Sequence, residues 1–212
     1  MQGLVELIER TVTGIAKLYP ESPQLSRKKF ESKILSDTQS KRLYTEILEG
    51  IEKGIPRLLF RASENGFTGS DFHSKCDAKG RTVTIIKSTN GAIFGGYAAT
   101  SWTSNSSYCF DSNCFLFSII SGSGEERFTK MKNDGIHHSN TYSIYCNPNQ
   151  GPSFGGGHDI CISNNPKAQE NYSNLGHSFS LTGQTYGTAT IKSYLAGAYN
   201  FSVEDYEVFA LQ

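Results

Sequence analysis

Thr82-Val-Thr-Ile-Ile-Lys-Ser-Thr-Asn-Gly-Ala-Ile-Phe-Gly-Gly-Tyr97 decides the fold class. Val83 and Ile85 alternate with polar neighbours, Asn90-Gly91 supplies a left-handed turn signal, and Ile93 resumes the apolar pattern on the far side. This spacing predicts a β-hairpin. Runs of the same kind recur on both sides of it: Leu58 to Arg61, Cys114 to Ile120, Tyr142 to Cys146, Ile160 to Ser163 and Val203 to Leu211. Turn signals at Lys79-Gly80, Ser121 to Gly124, Asn133 to Gly135 and Asn147 to Gly151 separate them at a spacing typical of sandwiches. Strand and helix patterns do not alternate, so a doubly wound α/β fold is not expected. The predicted class is mainly β, on the α+β margin, with helices at the periphery.

Two helical patterns precede the strands. Met1, Leu4, Ile8, Thr11, Ile15 and Leu18 recur at spacings of three and four, so residues 1–30 are expected to hold an amphipathic helix and linker, with Pro20 and Pro23 ending the helix. Fewer than three heptads are covered, which leaves dimerisation and docking on the chain's own domain as equal alternatives. A second helix is expected near Ser36, where Ser36 and Gln39 form a capping-box pattern, with Leu43, Ile47 and Ile51 along one packing face and Gly54 and Pro56 ending it. Residues 31–212 are assigned to the β-rich domain.

Composition narrows the function classes. The 212 residues are 37% hydrophobic and 19% charged, a balance that suits a turn-rich globular domain. Lys and Arg total 20 and Asp and Glu total 20, so there is no large field to draw in anionic polymers. Nucleic-acid binding through the early basic residues Arg27, Lys28, Lys29, Lys33, Lys41 and Arg42 is a minor alternative to a solvated surface. Glu6, Glu9 and Arg10 interrupt the first apolar stretch, so an intracellular, cytoplasmic protein is expected and the sequons at Asn105, Asn171 and Asn200 carry no weight.

Cys76, Cys109, Cys114, Cys146 and Cys161 are odd in number and contain no C-x-x-C pair, so reduced thiols are expected. Cys76, in Phe72-His-Ser-Lys-Cys76, is the candidate for a thiol-dependent peroxide-scavenging activity, since neighbouring cations lower a thiol's pKa. Adjacent His137 and His138 would face opposite sides of a strand, and no metal or other cofactor is expected. The run Gly151-Pro-Ser-Phe-Gly-Gly-Gly-His-Asp159 resembles a phosphate cradle but lacks the Lys-Ser/Thr ending and helix of a Walker loop. Its expected role is a tight turn, in which Asp159 either serves the turn or projects from its rim as a partner contact. Asp205 and Glu207 would share a strand face as a cation site or acidic docking patch, with solvated rim charge as the plainer reading.

Several of these segments together resemble the TLDc domain family. In order, they are Arg57-Leu-Leu-Phe-Arg-Ala-Ser63, Asn65-Gly-Phe-Thr-Gly-Ser-Asp-Phe-His-Ser-Lys-Cys76, Thr82 to Lys87, Gly91-Ala-Ile-Phe-Gly-Gly-Tyr97 with Trp102, Phe115-Leu-Phe-Ser118, Phe154 to Ile160, Tyr194-Leu-Ala-Gly-Ala-Tyr-Asn-Phe201 and Glu204-Asp-Tyr-Glu-Val-Phe209. The resemblance spans about 180 residues. It implies a two-sheet antiparallel β-sandwich with peripheral helices, of the kind found in eukaryotic proteins linked to oxidative-stress resistance and to regulation of the vacuolar proton-pumping ATPase. It also implies a non-catalytic, protein-binding regulatory module. The positions it carries over are Gly95, Gly96, Gly155, Gly156, Gly157, Asp159, Gly197, Asp205 and Glu207. One departure stands out: His158-Asp159 occupies a place where many relatives have glycine and glutamate.

Overall fold

The computed structural model describes residues 29–52, 54–134, 142–168 and 170–211. The expected N-terminal amphipathic helix lies outside the described residues. Strand β1 runs Pro56–Arg61, β2 Thr82–Ser88, β3 Ile93–Ala98, β4 Ser107–Cys109, β5 Phe115–Ile120, β6 Glu126–Asn133 and β7 Ile144–Cys146. Strand β8 follows at Ser153–Phe154, β9 at Ile160–Cys161, β10 at Asn171–Tyr172, β11 at Phe179–Ser180, β12 at Asn200–Phe201 and β13 at Val203–Leu211. Among the described residues they form a seven-stranded sheet, β1-β13-β2-β3-β5-β6-β11, and a six-stranded sheet, β12-β10-β9-β8-β7-β4. Every pairing between these strands is antiparallel.

The predicted hairpin forms with Ile86 opposite Phe94 and Lys87 opposite Ile93. Its turn is held by Gly91 N–H donating to Ser88 O and Ser88 N–H donating to Ala92 O. The Asn90 side chain reaches out of the turn and donates to Ala196 O at 2.8 Å.

Alternation along the central strands sends residues to two cores. Phe60, Ile86, Phe94, Leu116, Met131 and Val208 face the second sheet and meet Ile144, Phe154, Ile160 and Phe201. Val83, Ile85, Phe117, Ile119 and Phe209 face outward, where a helix seals them. That helix, α1 (Asp37–Arg42), starts on the predicted capping box: Ser36 Oγ accepts from Gln39 N–H, and Gln39 Oε1 accepts from Ser36 N–H. It continues as a π-helical turn, Leu43–Ile47, which places Leu43, Tyr44, Ile47 and Leu48 against the sheet. The helical stretch ends there, before the predicted stop at Gly54 and Pro56, and the chain turns through Gly50 at φ +79°. Phe30 is seated edge-on against Phe209, 5.0 Å between centroids, and extends this seal.

Three short helices were not predicted: α2 (Ala62–Asn65), α3 (Gly69–Cys76) and α4 (Ala189–Lys192). Helix α3 has a reciprocal cap between Thr68 and Asp71, and it buries Phe72 and Cys76 beside Trp102. Trp102 donates from its indole to Thr82 Oγ1 at 2.9 Å and meets Phe154 edge-on, which ties α3, β2 and the second sheet at one point.

Candidate functional site: the Gly155–Asp159 turn and an aromatic row

Between β8 and β9 the chain reverses through Gly155 to Asp159. Gly155 has φ +83°, and a β-carbon there would fall 2.0 Å from Asp159 Oδ2. The turn is therefore closed by the folded-back Asp159 side chain, and only glycine fits above it. Asp159 does not project from a rim. It is fully buried and accepts backbone N–H groups from Gly176 at 3.0 Å, Ser178 at 3.0 Å and Phe179 at 3.2 Å. Because Phe179 opens β11 of the seven-stranded sheet, this carboxyl clasps a turn of one sheet to a strand of the other. Burial pushes it up to about 7 from the usual 3.8, against the opposing effect of the three amides.

The other glycines of the turn make room for rings. A β-carbon on Gly156 would fall 2.6 Å from Tyr142, and one on Gly157 2.3 Å from His177. Gly96 on β3 makes room for Phe154 in the same way, and Gly95 lets β3 approach the Thr84 carbonyl. Gly197, at φ +81°, runs its backbone against Gly122 beside Asn90, Arg127 and Tyr194. These candidate positions therefore do not gather into one pocket; they are close backbone approaches distributed through the sandwich.

Asp205 and Glu207 share the outer face of β13, as alternation requires, but both carboxylates are engaged within the chain. Asp205 accepts from Ser63 N–H at 3.0 Å and Ser63 Oγ at 2.6 Å. Glu207 is fully buried and accepts from Arg61 Nε at 2.7 Å, Lys33 N–H at 2.9 Å and the Ser32 hydroxyl. It presents no acidic docking patch, because burying the carboxylate leaves its oxygens to these donors. Cys76 points into the core from α3, and burial pushes its thiol far above the ordinary range, opposite to what a peroxide-reactive thiol needs. Nearby His73 is held by Asp77 at 2.7 Å and the Asn147 carbonyl at 2.9 Å. His137 and His138 lie outside the described residues. Among the described residues, no three His, Cys, Asp or Glu stand together as metal ligands, and no helix is long and apolar enough to cross a membrane.

His158 has a more prominent place than its sequence position implied. It sits at φ +52°, a left-handed conformation that is rare outside glycine, and its ring stacks 5.2 Å from Tyr145 and 6.0 Å from Tyr172. The row extends in both directions: Tyr145 meets Tyr108 at 4.5 Å, Tyr108 meets Tyr142 at 4.5 Å, and Tyr172 meets Tyr199 at 5.5 Å. Sheet register explains the alignment, since Tyr108 pairs with Tyr145, Tyr145 with Ser153, Ser153 with Cys161 and Cys161 with Tyr172. Directly opposed residues share a face, so Tyr108, Tyr145 and Tyr172 stand on the outer surface of the second sheet, and Tyr142, His158 and Tyr199 add their rings to this row from turns and loops. Tyr108 donates to the Gly156 carbonyl at 3.0 Å, so toward His158 Nε2, 3.3 Å away, its oxygen accepts. That assigns the proton to Nε2 and leaves Nδ1 to accept from Tyr172, 2.7 Å away. Burial lowers the His158 pKa and favours this neutral form.

Among the described residues, Tyr108, Tyr142 and Tyr199 are three of the five large hydrophobic side chains exposed to solvent, and a fourth, Phe110, lies just beyond β4. Sequence reasoning missed the row. Its one advance signal was 11 tyrosines concentrated in turn-rich segments rather than in the long strands.

The fold is thus a two-layer β-sandwich in which Asp159, Glu207 and Cys76 are interior and a row of aromatic side chains crosses the outer face of the second sheet. The chain belongs to the TLDc domain family, whose sequence model matches residues 28–212. It is 38% identical over 64 residues to the MTOR-associated protein MEAK7 of Danio rerio, across 30% of this chain and 14% of that protein. To MEAK7 of Gallus gallus it is 33% identical over 108 residues, across 49% of this chain and 21% of the other. The TBC1 domain family member 24 of Xenopus laevis is 28% identical over 96 residues, across 42% and 17% respectively. The matched regions thus span about a fifth or less of these relatives' own length.

Proposed function

We propose that this TLDc domain is a non-catalytic, protein-binding regulatory module and that the aromatic row on its second sheet is the docking surface. The observation that carries this reading is the concentration of exposed tyrosine on one sheet face. Aromatic side chains with a polar tip are enriched where proteins meet, because they bury large area at small entropic cost and keep a hydrogen bond. Interior placement of Asp159, Glu207 and Cys76 leaves these groups to the fold.

The partner is proposed from the relatives. MEAK7 is named for association with MTOR, which supports a place for this chain in an MTOR-linked assembly. The family resemblance supports cytosolic action in oxidative-stress protection, with the vacuolar proton-pumping ATPase as a further partner. We assign residues 1–30 a separate role, as an amphipathic segment that dimerises the chain or docks on the domain.

Affinity purification from the protein's own cells tests the reading with wild type, a Tyr108→Ala/Tyr199→Ala variant and a chain lacking residues 1–28. Loss of partners in the tyrosine variant, with its melting temperature kept, is expected. Equal recovery from wild type and variant would remove the row from the interface. Absence of MTOR components and pump subunits under several conditions would sink the assigned partners.

A further inference from the structure

Cys109 and Cys146 lie on neighbouring strands, β4 and β7, with their sulfurs 3.9 Å apart. Both thiols face the core between the sheets, and both are free. Cys146 is buried, while Cys109 is half-buried on β4, a three-residue strand at the edge of the six-stranded sheet. Cys109 is the less buried of the two and lies on the sheet's edge strand, so its sulfur is the one a small oxidant meets first, with the second beside it.

We propose that Cys109 and Cys146 are a reversible disulfide site, and that forming the bond shifts edge strand β4 and with it the Tyr108 end of the aromatic row. The chemistry needs a hydroperoxide. The Cys109 thiolate attacks the terminal peroxide oxygen, the O–O bond breaks, and Cys109 becomes a sulfenic acid as the leaving oxygen takes up a proton. Cys146 then attacks the sulfenic sulfur, the S–S bond forms, and the hydroxyl leaves as water. With hydrogen peroxide the sum is two thiols oxidised to one disulfide and one peroxide reduced to two waters.

The register decides what the bond would do. Ser107 pairs with Cys146 and Cys109 pairs with Ile144, so the two cysteines are diagonal neighbours rather than directly opposed ones. Diagonal residues stand farther apart than a disulfide prefers, so closing the gap from 3.9 Å to about 2 Å draws β4 along β7. A bond formed under that constraint is readily reduced, which suits a reversible site rather than a structural bridge. Tyr108 sits between Ser107 and Cys109 and points to the opposite face, where it touches Tyr145, the Gly156 carbonyl and His158. Motion of β4 therefore moves Tyr108, the ring that joins Tyr142 to Tyr145 in the row. This last consequence bears on partner docking only if the reading of the row as an interface holds; the disulfide itself does not depend on it.

The test treats the full chain with hydrogen peroxide, blocks remaining thiols, digests without reductant and maps linked peptides by mass spectrometry. A Cys109–Cys146 linkage, lighter by two hydrogens, is expected. It should vanish with dithiothreitol, persist in Cys76→Ser and Cys161→Ser, and disappear in Cys109→Ser. A different pairing, over-oxidation of Cys109 without linkage, or no change in wild type would overturn the proposal without reference to any variant's folding. Near-ultraviolet circular dichroism reads the coupling: a tyrosine signal that shifts on oxidation and returns on reduction is expected. An unchanged signal in the linked protein would overturn the strand shift while leaving the docking face to be judged by affinity purification.

Discussion

Arg61 and Glu207 form an ion pair inside the protein, Nε to Oε1 2.7 Å, with the carboxylate fully buried and the guanidinium nearly so. It joins β1 to β13 and anchors the backbone at Lys33, where the chain arrives from the N-terminal side. The pair is costly to break: removing Glu207 leaves the nearly buried guanidinium only the half-exposed Glu64, 2.8 Å from Nη1, and takes the acceptor from the Lys33 amide and the Ser32 hydroxyl.

Glu207→Ala is accordingly expected to destabilise the domain by about 3–5 kcal/mol. An Arg61→Met/Glu207→Leu double variant should recover much of that loss, since an apolar pair leaves no stranded charge. Urea unfolding of the three proteins checks both; a single variant within 1 kcal/mol of wild type, on the order of an exposed pair, would contradict the geometry.

Two glycines offer a contrast in cause. A β-carbon at Gly95 would fall 1.9 Å from the Thr84 carbonyl oxygen, whereas one at Gly50 meets nothing within 4 Å. Gly95→Ala is expected to cost about 3 kcal/mol or more, through forced separation of β2 and β3. Gly50→Ala should cost only about 1–2 kcal/mol, the strain of its left-handed φ. Thermal melts rank them, and equal losses would refute the close approach.

Asp159 gives the domain a pH signature. Its carboxyl titrates near 7 when folded and near the usual 3.8 when unfolded, so over that window the folded state holds the extra proton. Its stabilising contribution is complete below about pH 4 and fades as the pH rises through about 7. Unfolding midpoints measured from pH 4 to 8 should fall with this component, and Asp159→Asn should remove it. An identical pH profile in the variant would rule it out.

Cys76 is expected to stay unmodified by iodoacetamide in the native protein at mildly alkaline pH and to react fully once urea unfolds the chain. Burial both raises the thiol's pKa and blocks access. Rapid native labelling at Cys76, read by peptide mapping, would reopen the thiol-enzyme reading.

The long strands were legible because their residues carry their own pattern. Thr82–Ser88, Ile93–Ala98 and Val203–Leu211 each span enough residues for alternation or apolar runs to show, and the Ser36–Gln39 cap is a local contact that the sequence spells out. Thr68 and Asp71 make a comparable cap for α3 and went unread, since the eight-residue helix behind it is too short to show a period. Strands of two residues, such as β8, β9 and β10, have no period at all and exist only because neighbours supply hydrogen bonds.

Sequence alone therefore determined the β-rich class, the hairpin around Asn90-Gly91, the packing role of Leu43 and Ile47, and the family, because each rests on residues near one another along the chain or on motif order. Only the tertiary structure decided which polar groups are interior and which rings meet. Asp159 is held by amides up to 20 residues away, and Glu207 by Arg61 at a separation of 146. Tyr108, Tyr145 and Tyr172 line up through the register of short strands, with His158 and Tyr199 brought beside them from turns, and cross-strand register is a property of the folded sheet that no local stretch of sequence encodes.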